Sequence, residues 1–335
     1  MNFIENIKEK AKSNKQTIVL PEATDVRILK AAKIVASQNL ADIILVGEKE
    51  DIYKIANEQN IDIENIKIVE PSKDSRHDLY VEEFLKLSKR CNYTKEEADK
   101  FLLDPLYFGM MMAKLDEADG LVAGANHSTK QILHPMMQIF KTKNTKLLST
   151  FFIVEHENED FGNKDYTFLF SDCALNEEPG YLALAEIAKV SARTYEWLFK
   201  KQAKVGFLSY STLGSAKSAS TEKVAKAAMH LKKKVPNLIC EGELQIDAAI
   251  MPEVAKMKSP NGELKGEANV LIFPDINAGN IAYKIFERFS NVRMYGPACQ
   301  GLEKPINDLS RACSVERVCD TIAITAVQAQ EKDNI

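Results

Sequence analysis

No surplus of positive charge marks this chain: its 335 residues hold 44 Lys and Arg against 48 Asp and Glu, a formal net charge of -4. A nucleic-acid scaffold would carry a basic excess gathered on one face, so that class loses support. No run of 18 apolar residues occurs, so no membrane-spanning helix and no membrane partner are expected. Met1-Asn2-Phe3-Ile4-Glu5 opens a polar amphipathic segment without an apolar core and a small-residue cleavage site behind it, so secretion is not expected. The six cysteines include no C-x-x-C pair, and the five histidines lack metal-ligand spacing. These absences point to reduced thiols in a cytoplasm and to no structural metal. Neither Gly-x-Gly-x-x-Gly nor a Walker A stretch is present, and dinucleotide binding and ATP-driven chemistry lose support with them.

What is there fits a folded globular protein. Hydrophobic residues make up 45% and charged residues 27%, close to the globular average. At roughly 150 residues per domain, the length suggests two domains. Helical patterns alternate with short β-branched runs, the rhythm of sheets covered by helices. Thr17–Leu20 and Asp42–Val46 read as strands, and Asp25–Gln38 and Glu48–Gln59 as amphipathic helices. Gly120–Gly124, Lys146–Val154, Val205–Leu208, Ala248–Met251 and Asn269–Phe273 are further buried-strand candidates. The expected fold class is α/β with doubly wound parallel sheets. Two polar, turn-rich stretches, Glu155–Lys164 and Ser259–Gly266, are the expected hinge loops.

In open α/β sheets, ligands gather where strand ends meet helix N-termini, whose free N–H groups favour anions. Three segments fit: Val122 to Thr129, with Ser128 and Thr129; Leu208 to Lys217, with Ser211 and Thr212; and Phe273 to Asn280, followed by Lys284 and Arg288. Hydroxyl residues after a strand commonly just cap a helix. Three such loops, two followed by basic residues, favour a phosphate-bearing ligand. The densest polar constellation runs from Gly296 to Ser314, where Asn307, Asp308, Ser310 and Arg311 precede an expected helix over Val315–Gln330. An amide, a hydroxyl and a guanidinium on a rigid loop suit recognition of an oxyanion.

Several of these segments together resemble the phosphate acetyl/butyryltransferase family: Asp104 to Gly109, Ala118 to Gly124 with His127-Ser128-Thr129, Gly242 to Gln245, Ala268 to Asp275 with Ala278 to Ile281, and Lys304 to Arg311. The resemblance spans essentially the whole chain. It implies two α/β/α domains similar to isocitrate and isopropylmalate dehydrogenases, with the active site in a cleft between them and a homodimer as the assembly. The implied boundaries are 1–148 plus 298–335 for one domain and 149–297 for the other. The implied reaction is acetyl-CoA plus phosphate in equilibrium with acetyl phosphate plus CoA, with CoA a substrate and no cofactor or metal. Ser310 then stands beside the thiol, Arg311 on phosphate or the developing oxyanion, Arg288 matches a family arginine, and Cys313 lies near the site without being the nucleophile.

Departures from the family pattern touch the cations and the base. Arg317 occupies the position of the aspartate proposed as general base, His134 and Ser88 replace arginines, and Ala312 follows the motif arginine where glycine is usual. Glu316 is the nearest substitute carboxylate, and Arg317 could instead hold a thiolate by charge. A propionyl or butyryl group in place of acetyl, or a non-catalytic acyl-CoA-binding homologue, are the alternative readings.

Overall fold

A computed structural model describes residues 2–331. Residues 1 and 332–335, which the expected terminal domain includes, lie outside the described residues. The chain separates into two compact units, one from the residues up to Lys141 together with those from Leu302 onward, the other from Thr142 to Gly301. The sequence reading sets these limits at 148/149 and 297/298. Residues 298–300 go with the middle unit because Ala298, Cys299 and Gln300 pair with Phe151, Thr150 and Ser149.

The terminal unit is built on a five-stranded sheet. Its strands are β1 (Thr17–Leu20), β2 (Asp42–Val46), β3 (Lys67–Val69), β4 (Gly120–Ala123) and, from far along the chain, β11 (Ile306–Asp308), in the order β11-β4-β1-β2-β3. All pairs are parallel. β4 is buried at every position and β1 at all but Thr17, as parallel strands covered on both faces must be. Asp25 caps the helix Val26–Ser37 by accepting from the Arg27 N–H, and Ile28, Leu29, Ala32 and Val35 form its buried face. The helix Val315–Gln330 is capped by Ser314 and buried throughout Val318–Ala329. Its interior hydroxyls donate back along the helix, Thr321 to the Arg317 carbonyl and Thr325 to the Thr321 carbonyl.

The middle unit holds β5 (Ser149–Glu155), β6 (Thr167–Ser171), β7 (Lys204–Leu208), β8 (Ile239–Leu244), β9 (Val270–Ile272) and β10 (Arg293–Gln300), in the order β10-β5-β6-β9-β7-β8. The expected α/β class holds, with a mixed sheet here: β6, β9, β7 and β8 pair in parallel, and β5 runs antiparallel to both β6 and β10. The stretch 156–166, expected to contain a hinge, is the hairpin connection from β5 to β6, the short link that antiparallel neighbours permit. The second expected hinge also lies within this unit, where Ser259 donates to Glu241 on β8 at 2.7 Å. A further correction concerns Ala248–Met251, expected as a strand. It falls in and just past a short helix, Ile246–Ile250, because an apolar run this short is buried equally well in either form. The strand beside β7 is β8, just upstream.

Candidate active site

In the terminal unit, the loop after β4 is organised by a carboxylate from the end of β1. Glu22 is 4% exposed and accepts from four consecutive backbone N–H groups, those of Gly124, Ala125, Asn126 and His127, at 2.8 to 2.9 Å. The same carboxylate bonds the His127 Nδ1 at 2.7 Å. Burial opposes its charge, yet the His127 bond and the backbone N–H groups hold its pKa below the usual carboxylate value. This corrects the expectation that these amides await a phosphate: the chain supplies its own anion. Gly124, at φ +115°, can take this turn, and a Cβ there would run into the Asp308 carboxyl and the Leu309 backbone.

Ser128 caps the following helix, Thr129–Ile139, in a capping box with Gln131, so the structural role of this hydroxyl is met. Thr129 is exposed and hydrogen-bonds the Asp308 carboxyl. Asp308, 8% exposed, has an Oδ1 with no hydrogen-bond partner. Burial first, and the charge of Glu22 second, push its pKa up to about 6 against the Thr129 bond and His127.

Beyond Asp308 the chain turns through Ser310, Arg311 and Ala312, all exposed, into Cys313. The turn is fixed by Arg27, a residue that sequence reasoning passes over. Arg27 forms a two-pronged pair with Asp25 at 2.8 to 3.0 Å, donates to the Arg311 carbonyl at 2.7 Å and reaches the Ala125 carbonyl at 2.9 Å. One guanidinium thus ties the loop after β4 to the loop after β11. Its signal in the sequence is an Asp-x-Arg directly after the first strand. The Arg311 side chain itself has no hydrogen bond or ion pair among the described residues, and its guanidinium is available. Burial pushes the Cys313 thiol pKa up, with Arg27 opposing, which disfavours the thiolate a nucleophile needs.

Two sequence candidates here, Asn307 and Glu316, are placed otherwise than expected. Asn307 is fully buried, and its amide donates to Thr325 and Gln328 at 2.7 Å each, stitching β11 to the closing helix instead of facing a ligand. Glu316 is exposed in the first turn of that helix, and its charge registers at Cys319 and Asp320, one turn further on. Arg317 is half-buried and also acts on Asp320, which pairs with Lys8 at 2.6 Å. His134, in place of an arginine, sits with its Nδ1 3.3 Å from the Tyr107 hydroxyl. Ser88 is buried and donates to the Phe84 carbonyl at 2.7 Å. Asp104, Tyr107, His127, Lys130 and His134 line an open cavity of about 320 Å³.

The middle unit repeats the device of an internal anion. Glu243, 4% exposed, accepts from the Ser211 hydroxyl at 3.0 Å and the Gly214 N–H at 2.7 Å. Asp172 accepts from the N–H groups of Ala174, Leu175 and Asn176 and from the Thr150 hydroxyl. Ser211 and Thr212, expected on the ligand, are buried; the Thr212 hydroxyl accepts from the Gln245 N–H at 3.0 Å. They shape the loop. The N-terminus of the helix Ile276–Phe289 is also no vacant anion site, because Glu177, Glu178 and Asp275 line the cavity beside it. On the same helix Lys284 and Arg288 are exposed one turn apart, Lys284 with its ammonium 5.1 Å from the Tyr283 ring centroid. Arg288 has no hydrogen bond or ion pair among the described residues. Also among the described residues, no group of three or more His, Cys, Asp or Glu side chains could hold a metal ion, and no helix is long and apolar enough to cross a membrane.

The family model described as "Phosphate acetyl/butaryl transferase" matches residues 2–326. A phosphate acetyltransferase of Acetivibrio thermocellus is 46% identical over 331 residues, covering 98% of this chain and 99% of that protein. Another from Bacillus subtilis is 42% identical over 329 residues, again covering 98% and 99%. A solved phosphotransacetylase from Streptococcus pyogenes matches with a TM-score of 0.91 at 37% identity, covering 98% of both chains. A branched-chain phosphotransacylase from Enterococcus faecalis, at 21% identity and a TM-score of 0.67, shares the fold.

Proposed function

The chain belongs to the phosphate acetyl/butaryl transferase family, and from that premise we infer an acyltransferase that moves an acetyl group reversibly between CoA and inorganic phosphate. The observation that carries this reading is end-to-end identity of 42 to 46% with phosphate acetyltransferases. In the proposed reaction the CoA thiolate attacks the carbonyl carbon of acetyl phosphate, and phosphate leaves. A thiol near pKa 8.5 needs only modest help to ionise, so orientation and charge stabilisation are the larger tasks.

We assign Arg311 to the phosphate or the developing oxyanion. Its support is an exposed guanidinium without an ion pair, on a turn that Arg27 holds by the Arg311 carbonyl. The anchored backbone limits where the guanidinium can reach, which leaves less to reorganise when it meets transition-state charge. Ser310, the adjacent exposed hydroxyl, is proposed beside the thiol. Arg288 and Lys284 are proposed as further cations for CoA or phosphate, and Arg317 as a charge that favours the thiolate. CoA is taken as a substrate, with no resident cofactor or metal. Six free cysteines accord with a reducing cytoplasm. The exposed row Ile281, Ile285 and Phe289, at four-residue spacing on one helix, supports a second copy as partner and hence a homodimer.

The test is thioester formation from CoA with acetyl, propionyl and butyryl phosphates in parallel, read by ultraviolet absorbance. Fastest turnover with acetyl phosphate is expected. A preference for a longer acyl group moves the substrate within the family, and CoA binding without turnover on any of the three refutes the enzyme.

A further inference from the structure

The aspartate proposed as base in the family pattern is Arg317 here, and Glu316 is exposed in the first turn of its helix. The terminal unit nevertheless contains a proton acceptor of a familiar design. His127 Nδ1 lies 2.7 Å from Glu22 Oε1, and this carboxylate is held ionised by four backbone N–H groups. An ionised carboxylate only accepts, so Nδ1 carries the proton and the neutral ring presents its lone pair at Nε2. Nε2 has no partner among the described residues. The ring is 27% exposed and lines the open cavity of about 320 Å³ with Asp104, Tyr107, Lys130 and His134.

We propose that His127 is the base that takes the proton from the CoA thiol, with Glu22 as its positioning residue. The proposal deepens the acetyltransferase reading and rests on it. The loop that carries His127 is also the one Arg27 binds to the Arg311 turn, through the Ala125 and Arg311 carbonyls. The base and the proposed oxyanion cation therefore sit on two loops held by one guanidinium. In the thioester-forming direction, Nε2 accepts the S–H proton and the sulfur pair forms the C–S bond. The C–O bond to phosphate then breaks, and phosphate departs with that electron pair. In reverse, the imidazolium returns its proton to the leaving thiolate.

A group that serves both directions works best with a pKa near the operating pH. The Glu22 bond raises the His127 pKa above the ordinary imidazole value, against burial, and Asp104 and Asp308 add to the rise. The other charged or titratable groups lining the cavity are Lys130, Tyr107 and His134. Arg27 faces the Ala125 carbonyl two residues earlier on the loop.

The experiment measures kcat for thioester formation from acetyl phosphate and CoA between pH 5.5 and 9 in the wild type, His127→Gln, His127→Ala and Glu22→Gln, with CoA binding measured alongside. The general-base role predicts a loss of about 100-fold or more in kcat for His127→Gln with CoA affinity retained. It also predicts loss of the acidic limb, partial rescue of His127→Ala by added imidazole, and a limb moved to lower pH in Glu22→Gln. A His127→Gln enzyme within threefold of wild type that keeps the limb overturns the proposal. So does a loss of activity in both His127 variants that imidazole does not restore, with CoA binding lost. A wild type that makes no thioester would instead overturn the function on which the proposal rests.

Discussion

Asp308→Asn should stabilise the protein at alkaline pH and leave it nearly unchanged in acid. The side chain is 8% exposed, its Oδ1 has no hydrogen-bond partner, and the buried Glu22 charge is one of the groups that raise its pKa. Its pKa rises from 3.8 in the unfolded chain to about 6 in the folded one. The folded state thus binds the proton more tightly, so stability is greatest below pH 3.8 and is lost as the pH climbs through 6. At about 1.36 kcal/mol per unit, the ionised group costs the native state up to about 3 kcal/mol above pH 7. Asparagine keeps an oxygen for Thr129 and carries no charge. For a unit of this size, roughly 2 to 4 °C per kcal/mol translates the cost into a melting-temperature gain of up to about 10 °C at pH 8, falling to about a third of that at pH 4.5. Paired thermal melts at the two pH values measure this difference directly. A variant whose gain does not grow with pH would show that Asp308 ionises as readily in the folded protein as in the unfolded chain, and would refute the argument.

Arg311→Ala should lower kcat/KM by a factor of hundreds with the melting temperature kept, because a preorganised guanidinium facing developing charge is typically worth a few kcal/mol. Near-wild-type steady-state kinetics would remove Arg311 from the mechanism. Glu316→Gln should retain turnover from about pH 6 to pH 8, because that carboxylate is solvated and acts toward Cys319 and Asp320. A pH–rate profile that loses its acidic limb in this variant would restore Glu316 as the base.

Periodicity locates what burial alone decides. The helix Val26–Ser37 and the strands Thr17–Leu20 and Asp42–Val46 follow from their apolar spacing, and the turn carrying Ser310 and Arg311 is legible from its punctuation and from the family motif. Partners distant in sequence escape such reading. Asn307 looks like a ligand-facing loop amide, and only the closing helix, 18 and 21 residues later, makes it a buried tie. Glu22 escapes notice after the first strand because its donors lie more than 100 residues away. Ser211 has the same history with Glu243. The strand expected at Ala248–Met251 fails for another reason: an apolar run of four residues has no period long enough to separate helix from strand.

The carboxylates of Glu22, Asp172 and Glu243 occupy places at strand ends where many α/β proteins seat a ligand's phosphate. A tethered anion is present at a high effective concentration whether or not substrate is there, so these loops acquire their shape as the chain folds and not when substrate arrives. The ordering entropy is thereby charged to folding instead of to each encounter. Under the proposed roles of Arg311, Arg288 and Lys284, substrate anions are captured by side-chain cations, an attraction that ionic strength weakens more than it would a cradle of backbone N–H groups. Capture by this protein should accordingly be fast in dilute buffer and slow progressively as salt is added, while the loops themselves remain unmoved.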